Sequence, residues 1–121
     1  MGVRKRTHKW HDGQAIYVQL MQEIVAGILE RTYREGEMLP SVRQLAEAYD
    51  VNPLTAAKAY RELARDGLLE TLRGEGVIVR SGSRAGLLRR EQARFLKEEW
   101  PALRKRLERM ELDLRALVSE A

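Results

Sequence analysis

The 121 residues predict a mainly α chain with one small β-hairpin, and three observations carry that prediction. Apolar residues recur at helical spacing in three consecutive stretches between Gln14 and Ala64. The second and third stretches are separated only by "DVNP", which leaves room for a tight turn and nothing more. "LLETLRGEGVIVR" then sets two short apolar runs around a glycine-bearing turn, the pattern of a hairpin. Two helices held at a steep angle by a turn of about three or four residues, with a hairpin behind them, outline a winged helix-turn-helix.

Taken in order, residues 1–13 lack periodicity and read as a flexible basic arm containing "VRKRTHK". The first helix starts near Gln14 and carries Tyr17, Leu20, Met21, Ile24 and Ile28 on one face, with Val25 and Leu29 widening the stripe. "REGEMLP" ends it, Gly36 acting as breaker and Pro40 forbidding resumption. Ser41 and Gln44 form the S-x-x-Q capping box that opens the second helix. Its buried face is Val42, Leu45, Ala46 and Tyr49, which turns Arg43, Gln44, Glu47 and Ala48 outward. Asn52 as N-cap and Pro53 in the first helical position start the third helix without wasted length. Ala56, Tyr60 and Leu63 point inward there, flanked by Ala59 and Ala64, and Gly67 closes the helix in a left-handed conformation. The winged domain thus spans 14–80, and 81–121 form a C-terminal helical dimerisation segment.

That last segment changes period. Leu96, Trp100, Leu103, Leu107, Met110, Leu114 and Leu117 step by 4, 3, 4, 3, 4 and 3, the a/d pattern of a helix that packs on another helix. The stripe is longer than the small core of this chain can absorb, which favours a homodimer, with Val25 and Leu29 as its other half. Pro101 predicts a break near Trp100 and two helices, roughly 86–99 and 101–119, over a single kinked one.

Composition narrows the function. Cysteine is absent, which removes disulfides, thiol nucleophiles and thiolate metal sites. Apolar runs long enough for a membrane span or a signal peptide are missing, so a cytoplasmic protein is expected. The net charge of +4 permits nucleic acid as a partner, and "RSGSRAGLLRR" at 80–90 is a second basic stretch. His8 and His11 form H-x-x-H, but two histidines do not supply the roughly four ligands of a closed metal site. "GEG" at 74–76 lacks the third glycine of a dinucleotide fingerprint, and Glu98 and Glu99 point about 100° apart on a helix. Neither an enzyme nor a cofactor or metal protein is expected.

On the third helix, helical geometry puts Leu54, Lys58, Arg61 and Arg65 opposite Ala56, with Thr55 at the edge. Lysine can bond guanine edges or phosphate, threonine either, and leucine can meet a thymine methyl. Leu54, Thr55 and Lys58 suit the groove-reading end of such a helix, while Arg61 and Arg65, further from the tip, suit phosphate contacts or none. "GEMLPSVRQLAEAYDVNPLTAAKAYRELARDGLLETLRGEGVIV", residues 36–79, resembles the DNA-binding domain of GntR-type bacterial transcription regulators, and "AIYVQLMQEIVAGI" its first helix. The short C-terminus is similar to that of the YtrA-like subgroup. The resemblance implies that Arg43 contacts DNA near the centre of the site. It puts Asn52, Leu54, Thr55 and Lys58 on the recognition helix, and Arg73, Gly74 and Gly76 on a wing laid at the minor groove. Leu54 departs from the polar residue common at its position, and Ala57 offers no hydrogen bond.

The expectation is a homodimeric repressor reading a pseudo-palindromic operator in double-stranded DNA. Any small-molecule effector would bind between the helices of the interface, because about 40 residues beyond the wing leave no room for a large ligand domain. Two rivals are an architectural DNA binder without sequence preference and a winged-helix protein-interaction module.

Overall fold

The computed structural model describes residues 9–120, so most of the expected basic arm, with His8, lies outside it. The chain forms two compact units, the first ending at Leu87 and the second spanning Leu88–Ala121. The first holds α1 (Ile16–Leu29), α2 (Val42–Tyr49), α3 (Pro53–Arg65), the strands β1 (Leu69–Leu72) and β2 (Gly76–Val79), and the start of α4 (Ser83–Arg94).

Leu20, Ile24 and Ile28 of α1 are almost wholly buried, as their spacing predicts. The helix ends at Leu29, well before Gly36. Arg31 takes a left-handed φ of +64°, and the Tyr33 N–H returns to the Gly27 carbonyl at 3.1 Å. The Tyr33 ring lies so close over Gly27 that a Cβ there would stand 2.5 Å from a ring carbon. Val25 and Leu29 pack partly buried against the first unit's own core.

Residues 10–13 are not the free arm the sequence suggests. Gln19 is buried, and its amide nitrogen donates to the carbonyls of His11 and Gln14, both at 2.8 Å. The Gln19 Oε1 accepts the His11 N–H at 3.1 Å, and the Trp10 ring stands 6.1 Å from that of Tyr49. A buried amide needs such partners, and here the backbone of the arm supplies them.

The capping box of α2 forms reciprocally: Gln44 N–H donates to Ser41 Oγ at 3.1 Å and Ser41 N–H to Gln44 Oε1 at 2.9 Å. Ala48, expected outside, is buried with Leu45, Ala46 and Tyr49. It lies three residues after Leu45, on the flank of the same stripe, and its single methyl fits a face wider than the apolar pattern marks. Asp50 ends α2 in the left-handed region at φ +53°, and the Val51 N–H bonds the Ala46 carbonyl at 3.0 Å. Asn52 Oδ1 then accepts the Leu54 N–H at 2.8 Å, capping α3 with Pro53 in its first turn.

Ala56, Ala59, Tyr60 and Leu63 face the core from α3. The Tyr60 hydroxyl donates to the Pro40 carbonyl at 2.6 Å, tying α3 to the segment that enters α2. Burial pushes this phenol above its ordinary range, aided by the nearby Tyr33 and Tyr49, so it stays a donor. Tyr60→Phe is expected to lower stability by about 1–2 kcal/mol through the orphaned carbonyl. A reduced urea midpoint with an unchanged m-value is the check.

Gly67 follows α3 at φ +83°, and Leu68 N–H closes on the Leu63 carbonyl at 3.0 Å. β1 and β2 pair antiparallel with Leu69 opposite Val79 and Leu72 opposite Gly76. The chain before α2 joins the free side of β2: Gly36 N–H bonds Val79 O and Leu39 N–H bonds Val77 O, both at 2.8 Å. At the start of α4 the Ser83 hydroxyl donates to Leu68 O at 2.8 Å, and Leu87 is buried.

In the second unit the expected break near Trp100 is absent. α4 runs directly into a π-helical turn (Phe95–Glu99) and then α5 (Trp100–Arg109). The Trp100 N–H bonds the Phe95 carbonyl five residues back, and Glu99 and Trp100 keep helical angles. The extra residue in that turn accommodates Pro101, whose ring would otherwise meet the carbonyl four residues earlier. The true interruption comes later, where Glu111 adopts φ +54° and Asp113 caps the short α6 (Leu114–Ser119). The a/d pattern is therefore divided among the π turn, α5, the turn after it and α6.

Candidate nucleic-acid interface

The tight turn sends the first turn of α3 outward. Leu54 is 78% exposed, an unusual cost for a leucine one residue inside a helix. Lys58 and Arg61 are exposed on the same side, and Thr55 is half-buried at its edge. Asn52 spends its side-chain carbonyl on the cap, which fixes the direction of the helix and leaves the amide hydrogens as donors.

The structure brings Leu54, Thr55 and Lys58 together with two residues of α1 that the sequence reading did not select. Ile16 and Tyr17 complete the lining of a shallow cavity of about 370 Å³. Lys58 Nζ lies over the Tyr17 ring, 4.1 Å from its centroid. No periodicity could show this pair, because it depends on how α1 and α3 pack.

Arg43, second residue of α2, has a side chain 89% exposed, and its guanidinium stands 3.7 Å from the Glu47 carboxylate. An exposed pair of this kind contributes about 0.3–0.5 kcal/mol, so it opposes a phosphate contact only weakly. At the wing tip Arg73 and Gly74 are exposed, and the Glu75 N–H closes the turn on Leu72 O at 2.9 Å. Gly74 at φ +78° and Gly76 at φ +139° occupy conformations that side chains resist. A Cβ on Gly76 would also stand 2.8 Å from the Met38 sulfur.

The base of the wing carries a polar clasp. Glu35 Oε2 accepts the Arg84 N–H at 3.0 Å, while Arg84 Nε donates to the last carbonyl of α1, Leu29 O, at 3.0 Å. The Arg84 amide, then the Gly82 amide, and less strongly the Arg84 charge hold the Glu35 carboxyl below its ordinary 4.5. A lowered folded pKa favours the ionised form in the fold. The clasp therefore contributes stability above the ordinary value and loses it as pH falls through the lowered one. Glu35→Gln is expected to lower the melting temperature at pH 7, with the gap to wild type closing as pH falls below the ordinary 4.5 and through the lowered value. Parallel melting curves across pH 2–7 test it.

The residues expected at a dimer contact sit in the second unit. Leu96 is 60% exposed, Leu103, Met110, Leu114 and Leu117 are exposed, and Trp100 and Leu107 are half-buried. Phe95, Leu112 and Val118, which the heptad does not include, are exposed as well, and Phe95 stacks tilted on Trp100 at 6.4 Å. Among the described residues no acidic, histidine or cysteine cluster could hold a metal ion, and no helix is long and apolar enough to cross a membrane.

Comparison with known proteins agrees with this geometry. Residues 16–79 match the family model described as bacterial regulatory proteins, gntR family. The chain is 41% identical over 73 residues to the HTH-type transcriptional repressor YtrA of Bacillus subtilis, covering 60% of this chain and 56% of that protein. It thus spans little more than half the length of this relative. Two solved structures extend the likeness beyond the wing. A GntR family transcriptional regulator from Listeria monocytogenes superposes with a TM-score of 0.64 at 25% identity, covering 91% of this chain and 95% of that one. YtrA from Sulfolobus acidocaldarius, a GntR-family transcription factor, superposes at 0.58 with 25% identity, covering 88% and 99%. The fold is a winged helix-turn-helix with C-terminal helices, and the chain belongs to the gntR family of bacterial regulatory proteins.

Proposed function

We propose that this chain is a sequence-specific DNA-binding repressor that acts as a homodimer on a pseudo-palindromic operator. The observation that carries the reading is the outward first turn of α3, where Leu54 and Lys58 are held in solvent by a capped helix with a buried opposite face. Such a turn fits a DNA major groove, where Lys58 and Thr55 bond base edges and Leu54 meets a thymine methyl. Arg43, Arg61 and Arg73 supply phosphate contacts, and the wing tip at Gly74 and Gly76 approaches the minor groove. Repression follows the named relative in Bacillus subtilis.

Dimerisation is supported by the second unit, in which α5 and α6 bury none of their residues. Apolar side chains left in water along Leu96, Leu103, Met110, Leu114 and Leu117 mark an association surface. A twofold pair would offer two recognition helices to inverted half-sites.

Selection of duplexes from a random library at about 150 mM salt, which suppresses purely electrostatic binding, is the test. Enrichment of an inverted repeat is expected. DNA recovered without a shared motif would point to an architectural binder, and no recovery to a protein-interaction module.

A further inference from the structure

We propose that Tyr17, on the first helix, is a positioning residue for base reading: its ring holds the Lys58 ammonium at the mouth of the α1–α3 cavity, aimed at a purine edge. The inference rests on the DNA-reading function proposed above. A lysine on a helix surface has a four-carbon stem and samples many rotamers, which it loses on binding. Here Nζ stands 4.1 Å from the Tyr17 centroid, within the range where an aromatic face attracts a cation. The platform itself is firm. Tyr17 is half-buried, and Leu20, three residues on and on the same face of α1, has no exposed surface. Leu54 and Thr55 stand one turn before Lys58 on α3 and line the same shallow cavity, so the lysine is flanked by groups of two helices while staying open to solvent. Preset in this way, Lys58 meets the acceptors of a guanine with less freedom to lose, and its selectivity for one base pair depends on a residue that need not touch DNA.

The experiment uses the full chain and the duplex recovered from library selection. Affinity is measured by fluorescence anisotropy for that duplex and for one altered at the base pair whose preference Lys58→Ala abolishes. Tyr17→Phe keeps the aromatic face and is expected to bind within about twofold of wild type. Tyr17→Leu is expected to weaken binding by about two- to fivefold and flatten preference at that base pair, with no further effect in the Lys58→Ala background. If Tyr17→Leu fails to fold, pentafluorophenylalanine at position 17 keeps the shape while reversing the ring's electrostatics, and the same loss is expected.

Equal losses in both backgrounds would overturn the proposal, as would a Phe variant as weak as Leu, which would mean that the hydroxyl meets DNA directly. Tighter binding by Tyr17→Leu would overturn it too, by showing that the ring sequesters the lysine. Lys58→Ala leaving every base preference intact would overturn it without harming the regulator reading. Failure of the wild-type chain to bind any selected duplex would instead remove that reading.

Discussion

Alanine at both Arg43 and Lys58 is expected to lower affinity for the selected operator by about a hundredfold or more, with the fold intact. A contact to a base edge such as that proposed for Lys58 contributes about 1–3 kcal/mol, and in the proposed symmetric dimer it is lost on each protomer. The salt slope should become shallower, by about one for each phosphate contact removed. Neither side chain supports the core. Arg43 is almost fully in solvent, and Lys58 is exposed at the cavity shared with α1. Their surface partners, Glu47 and the Tyr17 ring, account for about 1.5 kcal/mol together at most. Unchanged affinity of the double variant, with circular dichroism and melting like wild type, would move the DNA-reading surface elsewhere.

Leu107→Asp is expected to convert the protein into a largely monomeric, weaker DNA binder. Leu107 lies in the last turn of α5, between Leu103 and Met110 of the apolar stripe, and is only half-buried within its own chain. A carboxylate in the centre of an apolar interface loses its water without a partner, at a cost of several kcal/mol. Among the described residues, Leu107 is not one of those that form the hydrophobic core or pack against it. Separate heads would bind half-sites independently and forgo the effective concentration of a linked pair, lowering operator affinity by about 10²–10⁴-fold. Sedimentation equilibrium decides the matter. A variant that keeps a dimeric mass, or a wild-type chain that is itself monomeric, would remove the proposed interface from this face.

How much of this was legible beforehand depends on how local each signal is. The α2–turn–α3 unit was readable because Ser41, Gln44, Asn52 and Pro53 act on backbone groups within three residues of themselves. Left-handed Gly67 was readable for the same reason. Arg43 and Lys58 were placed outward by periodicity alone. The error at Trp100 arose because proline breaks a helix only if the ladder keeps its usual spacing, and the π turn at Phe95–Glu99 changes that spacing. Trp10 and Gln19 were missed because a tryptophan in a non-periodic stretch and a glutamine on a helix carry no pattern, although each finds its partner in three dimensions. Tyr17 was read as core, since spacing cannot tell a side chain that ends in the core from one that ends at its rim.

The third segment paired to β2 sets how the wing comes apart. An isolated two-stranded hairpin is marginal in water and would open on its own, long before the helices. Gly36 and Leu39 bond the far side of β2, so its base sits between two neighbours and opens only when the chain entering α2 lets go. Amide hydrogen exchange should therefore run in a gradient: fast at Arg73–Glu75, and slow, at the rate of the helices, at Gly36, Leu39 and Val79. The tip can adapt to a surface laid against it while the root behaves as part of the body, a hinge-free finger with a soft end.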